Sequence, residues 1–112
     1  MKLDRNIPDN NGGGKYGVLK LRVLRQIVKE NGTLPHSIKQ ALEVLEAVGA
    51  IDYGIAGSET EFFLIRLKDR FALTALNSYA EEAESFDPEY AHEIAAMAAR
   101  SGPNSVFCKL PD

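Results

Sequence analysis

The apolar residues of the chain recur at helical spacing in three stretches. The clearest stretch is 35–48, where one face of the predicted helix carries Ile38, Ala41, Leu42, Leu45 and Val48. A second helix is predicted over about 70–84, with Asp69 as its N-terminal cap. A third is predicted over 87–100, because Asp87 is a good cap and the proline after it suits the first helical position.

Other segments carry the patterns of strands. Short apolar runs at 50–54 and 61–67 flank turn-forming residues, which predicts a β-hairpin. An alternation of apolar and basic residues favours a further strand at about 16–23, and an overlapping helical stripe favours a short helical turn over 24–30. The predicted fold class is therefore α+β, a small antiparallel sheet of two or three strands packed against three helices.

The length of 112 residues fits one domain. Residues 1–14 are polar and end in three glycines, so they predict a flexible N-terminal arm. The globular α+β domain is predicted over 15–103, and 104–112 form a short C-terminal tail.

The composition is that of a folded, water-soluble protein, with 45% hydrophobic and 26% charged residues. The N-terminal residues lack the apolar stretch of a signal peptide, and no apolar run approaches the ~20 residues that span a bilayer. The single cysteine, Cys108, cannot form an internal disulfide. These features predict a cytoplasmic protein without a membrane partner.

Charge is distributed unevenly along the chain. Residues 1–40 carry eight Lys/Arg and three acids, a net charge of +5, whereas 41–112 have a net charge of −8. The densest acidic stretch, 81–93, holds six carboxylates and no lysine or arginine. Such asymmetry points to charged partners or to head-to-tail self-association, and solvated faces are the alternative. The candidate interaction surface is formed by Glu81, Glu82, Glu84, Lys20, Arg22 and Arg25.

No stretch of the sequence has the pattern of a catalytic, cofactor or metal site. The glycines before Lys15 lack the preceding strand and the spacing of a phosphate-binding loop. Glu89 and His92 share a helix face, but a di-iron bundle site needs a second copy of that pair and further glutamates. Cys108 lies near the C-terminus with Lys109 as its only adjacent base, which does not indicate a catalytic thiol. We therefore expect a non-enzymatic protein with no cofactor and no metal.

The predicted order of helix 35–48 and the hairpin after it is also that of the later part of a winged-helix DNA-binding module. That helix carries one base, Lys39, beside Glu43 and Glu46, which suits neither base recognition nor phosphate neutralisation. Nucleic-acid binding is therefore the alternative function. Consecutive Phe62 and Phe63 would point to opposite faces of a strand, which favours a protein-protein contact as the leading function.

Two segments resemble small uncharacterised proteins of phage and prophage origin. They are the stretch EFFLIRLKDRFA at 61–72 and the C-terminal GPNSVFCKLPD at 102–112. The resemblance implies a small accessory or interaction protein, and it carries no functional residue over. We predict a protein-protein interaction module whose partner is another protein or a second copy of itself.

Overall fold

The computed structural model describes residues 15–111, which divide into two compact units. One unit is Val18–Phe63, and the other contains 64–111 together with 15–17. The helices of the described residues are α1 (Leu21–Asn31), α2 (His36–Ala47), α3 (Ala72–Glu84) and α4 (Pro88–Ala98), followed by a 3-10 turn at Gly102–Asn104. The predicted arm at 1–14 lies outside the described residues.

Helices α3 and α4 pack against each other and form the core of the second unit. Ala80, Ile94 and Met97 are buried at the contact, and partly buried Leu67, Leu76 and Tyr90 surround them. Three further alanines in this unit are at most 5% exposed: Ala72, Ala91 and Ala98. Side chains this small let helices approach closely, because the residues at the contact set the distance between their axes.

A tight turn after α4 joins that helix to the segment before α3. The buried hydroxyl of Ser101 donates to the carbonyl of Ala98 at 2.8 Å, and the N–H of Gly102 donates to the carbonyl of Leu67 at 2.7 Å. Gly102 has a φ of 54°, and a Cβ there would lie 3.0 Å from the Cβ of Leu73. Only glycine fits this position without strain.

The C-terminal segment is hydrogen bonded to the same unit. The N–H of Lys109 donates to the carbonyl of Lys68 at 3.0 Å, and the N–H of Arg70 donates to the carbonyl of Lys109 at 2.9 Å. These bonds form an isolated parallel bridge between Asp69 and Lys109.

The first unit is built from α1 and α2 and an irregular segment after them. Gly32, with a φ of 80°, ends α1 and donates its N–H to the carbonyl of Val28 at 2.7 Å, a left-handed helix end of the usual kind. Gly49, with a φ of 74°, follows α2 in the same conformation. Neither helix contains a buried residue, in contrast to α3 and α4.

Residues 52–61 form a turn held by side chains. The carboxylate of Asp52 accepts the N–H of Gly54 at 2.8 Å and the hydroxyl of Thr60 at 3.1 Å. The hydroxyl of Ser58 donates to the carbonyl of Ile55 at 2.6 Å. Asp and Ser often hold turns in this way, because their short side chains reach nearby backbone groups.

The predicted α+β fold is wrong. The described residues contain no sheet, and their helices account for the regular structure. The segments 50–54 and 61–67 run as irregular chain around the turn, and the ring of Phe62 lies against Gly54. High β-propensity describes residues that suit a half-buried sheet surface, and it forms no strand where the backbone finds no partner.

The predicted strand at 16–23 is also wrong, because α1 begins at Leu21. The helical spacing of the apolar residues, not their alternation with basic residues, matches the structure formed here. The other helices follow the predictions to within two residues at each end, a scatter typical of helix boundaries. Asp87 is confirmed as the cap of α4, accepting the N–H of Tyr90 at 3.1 Å. Asp69 is not the cap of α3, because it accepts the N–H of Phe71, which precedes that helix.

Candidate protein-interaction surface

One face of α1 lines an apolar groove. Leu21, Leu24 and Val28 lie on the same side of the helix, since positions three, four and seven residues apart share a face. The turn at Gly32 places Leu34 beside them, and Arg25 completes the lining. The groove has a volume of about 290 Å³. We call these five residues the α1 groove: Leu21, Leu24, Arg25, Val28 and Leu34.

The apolar faces of both helices in this unit are partly open to solvent. In α1, Val23 is 49% exposed and Val28 is 39% exposed. In α2, Val44 and Leu45 are 63% and 42% exposed, although Leu45 belongs to the stripe from which we predicted the buried face. Burying a Val or Leu side chain fully is worth roughly 1.5–3 kcal/mol, so much of the stabilisation that these helices can supply is unused.

Four bases lie on α1 or immediately before it. Lys20 is the residue immediately before the helix, Arg22 and Arg25 lie one turn apart, and Lys29 is in the last turn. The first turn of α1 contains no acidic residue. A helix N-terminus carries partial positive charge, so cations there oppose the helix dipole. The dipole of α1 therefore does not favour the bases at its beginning.

The opposite arrangement is found where α3 meets α4. Glu81, Glu82 and Glu84 occupy the last turns of α3, and no basic residue lies in its last turn. A helix C-terminus carries partial negative charge, so these carboxylates also oppose the dipole. Phe86 follows them and is 79% exposed. We call residues 81–89 the acidic corner.

The acidic corner is held firmly by the start of α4. The N–H of Tyr90 donates to the carboxylate of Asp87, and this bond lowers the pKa of Asp87. The hydroxyls of Tyr79 and Tyr90 are hydrogen bonded at 3.0 Å, with ring centroids 6.1 Å apart in an edge-to-face arrangement. The bond to Tyr79, followed by burial, raises the pKa of Tyr90 to about 12. Tyr79 and Tyr90 thus join α3 to α4 beside the corner.

The six residues of the predicted surface belong to two different units. Lys20, Arg22 and Arg25 cluster at the start of α1 in one unit, and Glu81, Glu82 and Glu84 cluster at the end of α3 in the other. The sequence prediction missed Leu34 and Phe86. Leu34 could have been found as the first apolar residue after the glycine that ends α1, and Phe86 as the aromatic residue between the glutamates of α3 and the cap of α4.

The other sequence patterns do not converge on a site in the part of the chain that is described. His92 and Cys108 are exposed, and residues 15–111 contain no group of three metal-ligating side chains. The three glycines before Lys15 lie outside the described residues. Among residues 15–111, no helix combines the length and the apolar character needed to cross a membrane.

Comparison with known proteins found no matching family model, no matching curated protein and no matching solved structure. The resemblance to small phage proteins stays a prediction. The α1 groove and the acidic corner therefore have to be interpreted from their own chemistry.

Proposed function

We propose that this protein is a non-enzymatic interaction module that binds another protein chain in the α1 groove. The observation that supports the proposal is the unequal burial of its two units. The unit at 64–111 buries Ile94, Met97 and several alanines, whereas α1 and α2 bury no residue completely. The apolar surface of α1 and α2 is thus available to a partner.

Contiguous apolar surface that remains exposed is typical of protein interaction sites, because it is otherwise a risk for aggregation. The α1 groove combines such surface with Arg25 on its lining and Lys29 one turn further. Arginine is enriched at interface cores, since its planar head forms several hydrogen bonds and its stem packs on apolar groups. An apolar centre edged by charge gives a partner both affinity and orientation.

The test compares two valine-to-aspartate substitutions, one in each unit. Val28 lines the groove, and Val106 is 91% exposed in the other unit. Tagged wild-type, Val28→Asp and Val106→Asp chains are expressed in cells that naturally make the protein, crosslinked and analysed by mass spectrometry. We expect the wild type and Val106→Asp to retain the same bound chain and Val28→Asp to lose it.

Equal recovery of that chain by Val28→Asp would contradict the proposal. Far-UV circular dichroism of the three purified proteins is the folding control, because a misfolded variant would lose binding for a trivial reason. The identity of the bound chain matters further, since it is either a different protein or an untagged copy of the same chain.

Nucleic-acid binding is the second candidate function. It is supported by the bases around α1 and by the order of α1, a short turn and α2, but the predicted wing is not formed in the described residues. If Lys20, Arg25 and Lys29 contact phosphates, affinity for mixed-sequence duplex should fall with salt by a log-log slope of about −0.9 per contact. Arg25→Glu should make that slope shallower by about one contact. Absence of binding at low salt would exclude this function.

A further inference from the structure

We infer that the chain which occupies the α1 groove is a second copy of this protein, bound through its acidic corner. The inference rests on the proposed function and names the partner of the same groove. Phe86 of one copy would enter the groove of the other, and the glutamates around it would face the bases of α1. Shape, charge and helix orientation each support this pairing.

The groove is large enough for a phenyl ring. Its volume is about 290 Å³, whereas an apolar protein cavity of about 150 Å³ already accommodates benzene. Phe86 is 79% exposed and is flanked by Glu84 and Asp87, so it forms an apolar side chain within an acidic surface. Aromatic residues that fill a pocket at the centre of an interface supply much of its binding energy.

The two surfaces carry opposite charges, and in each case the charges are unfavourable for the dipole of their own helix. The start of α1 combines the positive end of a helix dipole with Lys20, Arg22 and Arg25. The end of α3 combines the negative end of a dipole with Glu81, Glu82 and Glu84. Each set of charges is unfavourable on its own helix, and each becomes favourable when it faces the other set.

Groove-to-groove pairing between two copies is disfavoured by the same charges. It would bring Arg25 and Lys29 of one copy close to Arg25 and Lys29 of the other, and like charges across an interface weaken binding. Pairing of groove with corner is heterologous, because each chain contributes a different surface. Five residues line the α1 groove, whereas a stable complex uses about 20–30 residues on each side, so the association should be weak and salt-sensitive.

A mixing experiment separates this arrangement from all others. The groove variant carries Arg25→Glu and Lys29→Glu, and the corner variant carries Phe86→Ser and Glu82→Lys. All four side chains lie on exposed positions, so the variants should keep the fold. Glu59→Lys, an exposed charge reversal outside both surfaces, is the matched control. Sedimentation equilibrium is measured at low salt up to roughly millimolar protein, the range in which weak complexes form.

Wild type and Glu59→Lys should associate, and each variant alone should associate at least about tenfold more weakly, as expected for loss of a central aromatic or a charge pair. The equimolar mixture should form a complex that stops at two chains, because the intact groove of one variant binds the intact corner of the other. Added salt should dissociate it.

Self-association of the corner variant at wild-type strength would overturn the inference, and so would a monomeric wild type throughout the concentration range. Neither result would touch the proposed function, since the crosslinking comparison of Val28→Asp with Val106→Asp would still show whether a different protein occupies the groove. A mixture that stays monomeric while the wild type associates would also overturn the pairing of groove with corner.

Discussion

Replacing Ile94 with alanine tests whether the α3–α4 unit has a core of its own. Ile94 is 3% exposed and packs with Ala80 and Met97. The substitution removes three carbon atoms, and at about 0.8 kcal/mol for each buried methylene the transfer of these atoms alone is worth about 2.4 kcal/mol. The cavity left behind adds to this value, so the expected loss lies within the usual range of ~2–5 kcal/mol.

The matched comparison is Val44→Ala in α2, where the side chain is 63% exposed. A substitution at such a site should change the free energy of unfolding by no more than ~0.5 kcal/mol. Urea unfolding followed by far-UV circular dichroism gives the free energy of unfolding of both variants. Amide hydrogen exchange then shows in which helices, and so in which unit, the structure is destabilised. We expect Ile94→Ala to speed exchange in α3 and α4.

Small domains are stable by only ~5–15 kcal/mol, so Ile94→Ala could leave too little folded protein to measure. Ile94→Val is then the informative variant, with an expected loss of ~0.5–1.5 kcal/mol. Refutation would come from an Ile94→Ala protein within about 1 kcal/mol of wild type, or from a Val44→Ala protein that is destabilised as much. Either result would mean that the burial pattern of the two units is wrong.

Three further predictions concern single contacts. Tyr79→Phe should lower the pKa of Tyr90 from about 12 towards 10, because the hydrogen bond to Tyr79 is the main cause of the raised value. Absorbance titration of the tyrosines at alkaline pH will show whether one phenol ionises at a lower pH in the variant. Asp87 has a lowered pKa in the folded chain, so its stabilising effect is complete at neutral pH and is lost as the pH falls below the usual 3.8. The melting temperature should therefore fall more in acid for the wild type than for Asp87→Asn, and equal falls in the two proteins would disprove this. Gly102→Ala should destabilise by more than about 1 kcal/mol in urea unfolding, and by more than Gly49→Ala, which shares the left-handed backbone but has no atom within 4 Å of the added carbon.

The helices could be predicted from the sequence because their signals are local. Asp87 and the proline after it define the start of α4 through contacts within three residues. The strands could not be predicted reliably, because a strand needs a hydrogen-bonding partner strand, and that partner can lie anywhere in the chain. Residues 61–67 have the composition of a strand, but Asp52 and Ser58 close a turn whose flanks do not pair. The same limit applies to Leu45. The sequence showed that it lies on the apolar face of α2, but it did not show whether another part of the chain covers that face.

The charged residues of the candidate surface could be grouped from the sequence, since charge can be counted along a chain. Their relation to apolar groups was not predictable in the same way. Leu34 reaches the groove only because Gly32 ends α1 in a left-handed conformation that turns the chain back. Phe86 lies beyond the end of α3 and is exposed, whereas Ala80, Ile94 and Met97 fill the contact between α3 and α4.

The unequal burial of the two units is consistent with the weak, reversible contact that we propose. Segments that bind partners are commonly the less stable parts of a structure, because a surface that is kept open for a partner cannot also serve as core. Here the open surface is formed by the exposed apolar side chains of α1 and α2, and the closed one is the contact between α3 and α4. A partner that covers the α1 groove would stabilise the first unit by mass action, to an extent set by its concentration relative to its dissociation constant.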